Sequence, residues 1–233
     1  MERREFVRIC AAAASGAALP DASQAATLNA RMYKRAKLVD DKGRPIHVAQ
    51  LQAGRNYVFD YPYSSTPCFL LHLRGPAAGG VDLKTETGFV YRWDGGIGPG
   101  RDVVAYSAIC AHKMTYPTRQ VSFIGYRDEP SPVAGKGRVI ACCSDRSVYD
   151  PAAGARVLSG PAPQPLATIL LEHDAKADEV FAVGTFGGEM FAEFFRKFEF
   201  RLQLEMGPRA RNAVEGTTVV RELETYSTQW AKC

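Results

Sequence analysis

Apolar and polar side chains alternate along most of this chain in short runs with a period of two, the spacing that puts successive side chains on opposite faces of a strand. The runs fall at Asn56 to Tyr61, Pro67 to Leu73, Phe89 to Trp93, Asp102 to Ala108, Gly137 to Cys142, Leu166 to His173 and Glu179 to Phe186. Turn-forming clusters such as Asp94-Gly95-Gly96 and Gly98-Pro99-Gly100 separate them, so each run predicts a strand that ends in a turn. A later stretch sets Phe198, Phe200, Leu202, Leu204 and Met206 against Glu199, Arg201, Gln203 and Glu205, and this strict alternation predicts one more strand with one buried face. Glu189 to Lys197 reads as a short helix before it. No internal repeat is present, and the pattern as a whole predicts an all-β body of antiparallel sheets.

The beginning of the chain breaks the pattern. Paired arginines in Arg3-Arg4-Glu5-Phe6-Val7-Arg8 precede an alanine-rich apolar stretch from Ile9 to Leu19, the layout of a twin-arginine export signal. That stretch is shorter than the roughly twenty residues a membrane-crossing helix needs. Ser23-Gln24-Ala25 offers a small-residue exit. The expectation is a signal segment over residues 1–25, export to the periplasm, and a possible membrane association through the same segment. Twin-arginine export carries folded proteins, which directs attention to a cofactor inserted before export.

Composition narrows the partners. With 46% hydrophobic and 23% charged residues the chain has enough apolar surface for a globular core. A net charge of +4, spread among interleaved acids and bases, argues against a nucleic-acid partner. Six cysteines, at 10, 68, 110, 142, 143 and 233, show no spacing that suggests a disulfide framework, so some are expected to serve chemistry instead.

Two loops concentrate that chemistry. Cys110-Ala111-His112 follows the run Asp102 to Ala108, and Cys142-Cys143-Ser144-Asp145 follows Gly137 to Ala141. Each offers a thiol and a second donor at close spacing, although an isolated pair of this kind is more often a buried hydrophobe beside an ordinary histidine. After the second loop come Ser147-Val148-Tyr149-Asp150-Pro151, then Gly154-Ala155-Arg156-Val157, then Gly160-Pro161-Ala162-Pro163-Gln164-Pro165-Leu166.

In order and spacing these pieces resemble the Rieske family over roughly residues 100 to 186. There a C-x-H loop and a C-x-x-H loop are followed by Ser-x-Tyr/Phe-Asp, a glycine-bearing hairpin and a proline-rich loop. The resemblance implies a Rieske-like fold at 26–186, with the cluster-binding part near 105–166; it fades after Phe186, and residues 187–233 read as an extension whose tail, ending in Trp230-Ala231-Lys232-Cys233, has the aromatic content of a partner interface. The resemblance also implies a [2Fe-2S] cluster on Cys110, His112, Cys142 and Asp145, with Ser147 and Tyr149 donating hydrogen bonds to cluster sulfurs and the Pro161 loop shielding it. Asp145 stands where the family places its second histidine. Either it ligates iron, a hard pairing ferric iron accepts, or it only forms a turn and the centre is degenerate. Thr115 and Ser144 occupy the positions of the disulfide that respiratory members carry between the loops, and Cys143 reads as a bystander in a proline's place.

The resemblance implies one-electron transfer as the subunit of an oxidoreductase complex, similar to small subunits of arsenite-oxidase-like enzymes or cytochrome bc Rieske proteins, and assigns the chain no catalytic residue of its own. The implied partners are a catalytic subunit, a cytochrome or a quinol-oxidising complex. A Rieske oxygenase would need a further two-histidine-one-carboxylate iron site. Only His173 follows the motif, and His47, His72 and His173 read as structural. The alternative function is a cluster-free scaffold or assembly subunit.

Overall fold

The structure, a computed structural model, describes residues 29–233; the twin-arginine segment and Cys10 lie outside the described residues. Among the described residues, sixteen strands and two α-helices follow one another. The strands are β1 (Arg31–Val39), β2 (Tyr57–Asp60), β3 (Pro67–His72), β4 (Val81–Lys84), β5 (Val90–Trp93), β6 (Val103–Ser107), β7 (Val121–Ser122), β8 (Ile124–Arg127), β9 (Val139–Cys142), β10 (Val148–Asp150), β11 (Arg156–Ser159), β12 (Thr168–Asp174) and β13 (Glu179–Phe186). Helix α1 (Met190–Met206) comes next, then β14 (Gly216–Val219), β15 (Arg221–Glu222), helix α2 (Leu223–Tyr226) and β16 (Gln229–Trp230). The expected all-β body is present, and each of its seven expected strands is found with its ends moved by a residue or two. Among the described residues, no helix is long and apolar enough to cross a membrane.

Eight strands form the main sheet in the order β14-β1-β13-β12-β6-β3-β2-β15. Every residue of β6 and most of β3 are buried, as β-branched and aromatic runs covered on both faces should be. β14 and β15 are neighbours in sequence, parted only by Val220, yet they stand at opposite ends of the sheet. The segment 216–222 therefore joins both edges and closes the sheet into a barrel, a closure tightened by the Thr218 hydroxyl donating to the Asp60 carbonyl at 2.8 Å. Closing the sheet removes the unpaired edges that would otherwise template aggregation.

A second sheet, ordered β11-β10-β9-β8, is separate from the barrel in its hydrogen bonding. The two bodies meet through side chains: Asn56, just before β2, donates to the Tyr126 carbonyl at 2.9 Å and accepts the Tyr126 N–H at 2.6 Å. The Tyr106 hydroxyl of β6 donates to the Pro151 carbonyl at 2.7 Å.

The expected strand from Phe198 to Met206 is a correction: α1 runs on from the expected helix through this stretch to Met206. Phe191, Phe194, Phe195 and Leu202 are its buried stripe and Phe198 is half-buried, spaced as i, i+3, i+4, i+7 and i+11. Phe200 and Leu204, which completed the period-two pattern, are 78% and 72% exposed. The Glu, Arg, Gln, Leu and Met of this stretch are good helix formers, so propensity and tertiary contact agree against the alternation. The helix bends at Phe198, whose φ of −109° and ψ of 15° leave the helical region.

Candidate metal centre

Cys110 lies just beyond β6, on the barrel, and Cys142 ends β9, on the second sheet. The two loops are built alike. In each, the cysteine N–H bonds the carbonyl five residues on: Cys110 to Thr115 at 2.8 Å and Cys142 to Ser147 at 2.9 Å. In each, the N–H four residues on returns to the cysteine carbonyl: Met114 at 2.9 Å and Arg146 at 2.8 Å. Those two residues, Met114 and Arg146, both adopt left-handed backbone at φ 57° and 64°, a conformation that costs a side-chain-bearing residue about 1–2 kcal/mol. Both loops accept that cost to turn within four residues.

These tight turns bring the donors together. Cys110, Cys142 and Asp145 offer ligand atoms that all lie within 4.8 Å of one another, a group that can hold a metal ion. The Cys110 thiol is 3.2 Å from Asp145 Oδ2, and His112 Nδ1 is 3.2 Å from the same oxygen. Both cysteines are fully buried free thiols, the Asp145 side chain is 1% exposed, and the His112 side chain is 35% exposed. Three donors are thus enclosed while one edge of His112 meets solvent. Asp145 Oδ1 accepts the Ser147 N–H at 2.9 Å, which fixes the carboxylate's orientation inside its own loop.

The electrostatics arise from that enclosure. The Cys142 thiol donates towards Cys110 and is buried, and both effects push it far above its ordinary value. Receiving that hydrogen bond, and a second from Tyr149, lowers Cys110 despite its burial. Burial alone would raise the Asp145 carboxyl, but the Ser147 N–H and the sulfhydryl donors outweigh it and hold the carboxyl below its usual range.

Around this group, the Tyr149 hydroxyl lies 3.2 Å from Cys110 Sγ. The Ser147 hydroxyl is fully buried and faces the Asp145 carboxylate, yet it closes no hydrogen bond among the described residues. Such an orphan costs about 1–3 kcal/mol unless something accepts from it. Pro161 is on the surface, and its neighbour Gly160 is the tight point of that loop. With φ at +89°, a Cβ on Gly160 would sit 2.4 Å from the Arg146 carbonyl, so the proline loop rests directly on the second donor loop.

His47, His72 and His173 have local roles, as expected. Their ring nitrogens meet the Asp178 carbonyl at 3.1 Å, the Leu51 carbonyl at 2.7 Å and the Asp178 carboxylate at 2.8 Å.

No family model matches this chain. Among solved structures it is similar to the soluble domain of the Rieske protein II from Sulfolobus acidocaldarius, at 24% identity and a TM-score of 0.45 over 66% of this chain and 78% of that one.

One cysteine role escaped the sequence. Cys143, a bystander by its place in the motif, is joined to Cys233 by a disulfide, with the Cα atoms 5.6 Å apart and a sequence separation of 90. Neither cysteine sits in a recognisable spacing, and a connectivity of this kind cannot be deduced from sequence alone.

Proposed function

We propose that this chain is a one-electron carrier that holds a Rieske-type [2Fe-2S] cluster on Cys110, His112, Cys142 and Asp145, and that it works in the periplasm as a subunit of a larger oxidoreductase or quinol/cytochrome electron-transfer complex. The observation that carries the reading is the meeting of two turns with the same hydrogen-bond pattern, one from each body of the fold, that bring two free buried thiols and a carboxylate within 4.8 Å of one another and set the His112 imidazole 3.2 Å from that carboxylate.

The surrounding groups fit such a cofactor. Two thiols and two harder donors match a centre whose irons differ in ligand type. The buried Ser147 hydroxyl faces the Asp145 carboxylate without closing a well-formed hydrogen bond to it, and an inorganic sulfide at this point would be an acceptor. When bound, the cluster supplies a site that takes up and gives back one electron. The residues of the chain set its poise and its access: Tyr149 and Ser147 stabilise added negative charge through their hydroxyls, and the Asp145 carboxylate opposes it. The partly exposed His112 edge gives electrons their shortest way to a partner, while Gly160-Pro161 keeps water from the second loop. The Cys143–Cys233 disulfide supports an oxidising compartment, and the twin-arginine pattern supports the same location.

A second reading rests on the same donors. Cys110, Cys142 and Asp145 come within 4.8 Å of one another, a compactness that also suits a single ion or a scaffold without a cluster. Iron and acid-labile sulfide determination on purified protein separates the two. The first reading expects about two of each per chain; the second expects no sulfide.

A further inference from the structure

The loop that carries Cys142 and Asp145 is fastened to the last residue of the chain by a bond that electron transfer does not require. The chain leading to that bond begins on the other body. From the barrel closure at β15, the Leu223 N–H donates to the Asn56 carbonyl at 2.8 Å, and the Ser227 hydroxyl donates to the Thr118 carbonyl at 2.6 Å, just after the first donor loop. β16 then runs parallel to β7, with the Ala231 N–H on the Ser122 carbonyl at 2.9 Å.

The last stretch is braced as well as tied. Arg127 Nη2 donates to the Ala231 carbonyl and stands 3.2 Å from Cys143 Sγ, and its guanidinium lies 4.7 Å from the centre of the Trp230 ring. Trp230 in turn packs on β8 so closely that a Cβ at Gly125 would fall 2.8 Å from the indole nitrogen. Cys143 itself donates its N–H to the Phe123 carbonyl at 2.7 Å. The tail is therefore a strap: one end is set in the barrel that bears Cys110 and His112, and the other is covalently bound beside Cys142.

The two bodies share no strand pairing, so the spacing of the two donor loops depends on what ties one body to the other. We propose that the strap Leu223–Cys233, closed by the Cys143–Cys233 disulfide and braced by Arg127, is a positioning element that, beyond the Asn56–Tyr126, Tyr106–Pro151 and Ala111–Tyr149 bonds, holds the second metal-binding loop against the first. It does from outside the site what a covalent link between the loops would do from within; Thr115 and Ser144 leave no such link here. The inference rests on the metal-centre reading, and its test also has an arm that needs no metal.

In the full-length protein, the bridge is cut by Cys233→Ser and, separately, by mild phosphine reduction of the folded wild type, which keeps the test open where the variant fails to fold. Metal-free samples are alkylated and the modification of Cys142 and Cys68 is followed by mass spectrometry; iron-loaded samples are followed for iron release to a chelator and for the EPR line shape. Cys68 is fully buried in the barrel and reports on global opening. Cutting the bridge is expected to speed Cys142 alkylation and iron release by about tenfold or more, and to broaden the spectrum, with Cys68 alkylation unchanged. Equal acceleration at Cys68 would make the bridge a general stabiliser and overturn the inference, and so would unchanged Cys142 reactivity. A wild type that binds no iron contradicts the proposed function instead, and the alkylation arm still decides the role of the bridge.

Discussion

The phenol oxygen of Tyr149 lies 3.2 Å from Cys110 Sγ and accepts the Ala111 N–H at 3.1 Å. A Cys110 thiolate bound to iron has no proton to give, so in the iron-loaded protein the phenol is the donor, and the bond strengthens when the sulfur gains charge. In the iron-loaded protein Tyr149→Phe should lower the reduction potential. A difference of about 1–2 kcal/mol in a charge-assisted hydrogen bond corresponds to roughly 40–90 mV for one electron. Protein-film voltammetry measures it, and an unchanged potential would place the phenol outside the redox centre.

Asp145 is the point at which the sequence departs from the Rieske pattern it resembles, and under the proposed ligation its variants have opposite expected effects. Asp145→His replaces a negative ligand with a neutral one and should keep the cluster while raising its potential by on the order of 100–300 mV. Asp145→Ala removes a ligand, together with the acceptor that the Ser147 N–H and the Cys110 thiol use, and should lose most of the iron. An alanine variant with full iron content and an unshifted potential would show that the carboxylate only shapes the turn.

The first donor loop stands on an aromatic base. Phe194 of α1 is fully buried and meets Tyr116 edge-on with ring centres 5.0 Å apart, four residues beyond His112. Phe194→Ala should destabilise the protein by about 3–5 kcal/mol, through lost burial and the cavity left behind. Urea unfolding measures the loss. A cost below about 1 kcal/mol would mean that α1 is not part of the core.

Asp60 gives stability a pH dependence of its own. Burial raises its carboxyl to about 7, against the pull of Arg119 and Arg221, with Cys68 and Tyr226 also facing it. The folded value exceeds the unfolded value of about 3.9, so the folded state holds the proton more tightly. Its contribution is complete below about pH 4 and is lost as the pH rises to about 7, by on the order of a few kcal/mol. The metal-free wild type should therefore lose more stability across this window than Asp60→Asn. Parallel urea midpoints for the two proteins at pH 5 and pH 8 would contradict this.

The strands of the barrel were legible because each has one face, or both, against the core, so its apolar spacing reports directly on burial. β1 was not: its first five residues are largely exposed and its register shifts between Met32 and Ala36, so no alternation survives in Arg31 to Arg35. α1 misled because its outward-facing Phe200 and Leu204 fill the gaps of the buried helical stripe and imitate a period of two. That Cys110, Cys142 and Asp145 come together was legible through the spacing within the two loops and through the ordered series from Ser147 to Leu166 downstream of them. The strap was invisible, since its meaning lies in where β14, β15 and β16 pair, and pairing over such sequence distances leaves no local trace.

Whether Cys110, His112, Cys142 and Asp145 hold a binuclear cluster is decided by low-temperature EPR of the dithionite-reduced protein purified with its native metal content, with iron and sulfide content determined on the same sample. The expected result is about two irons and two sulfides per chain and the rhombic signal of a reduced [2Fe-2S] centre with mixed ligands. A sample with no such signal, or with iron but no sulfide, would contradict the assignment.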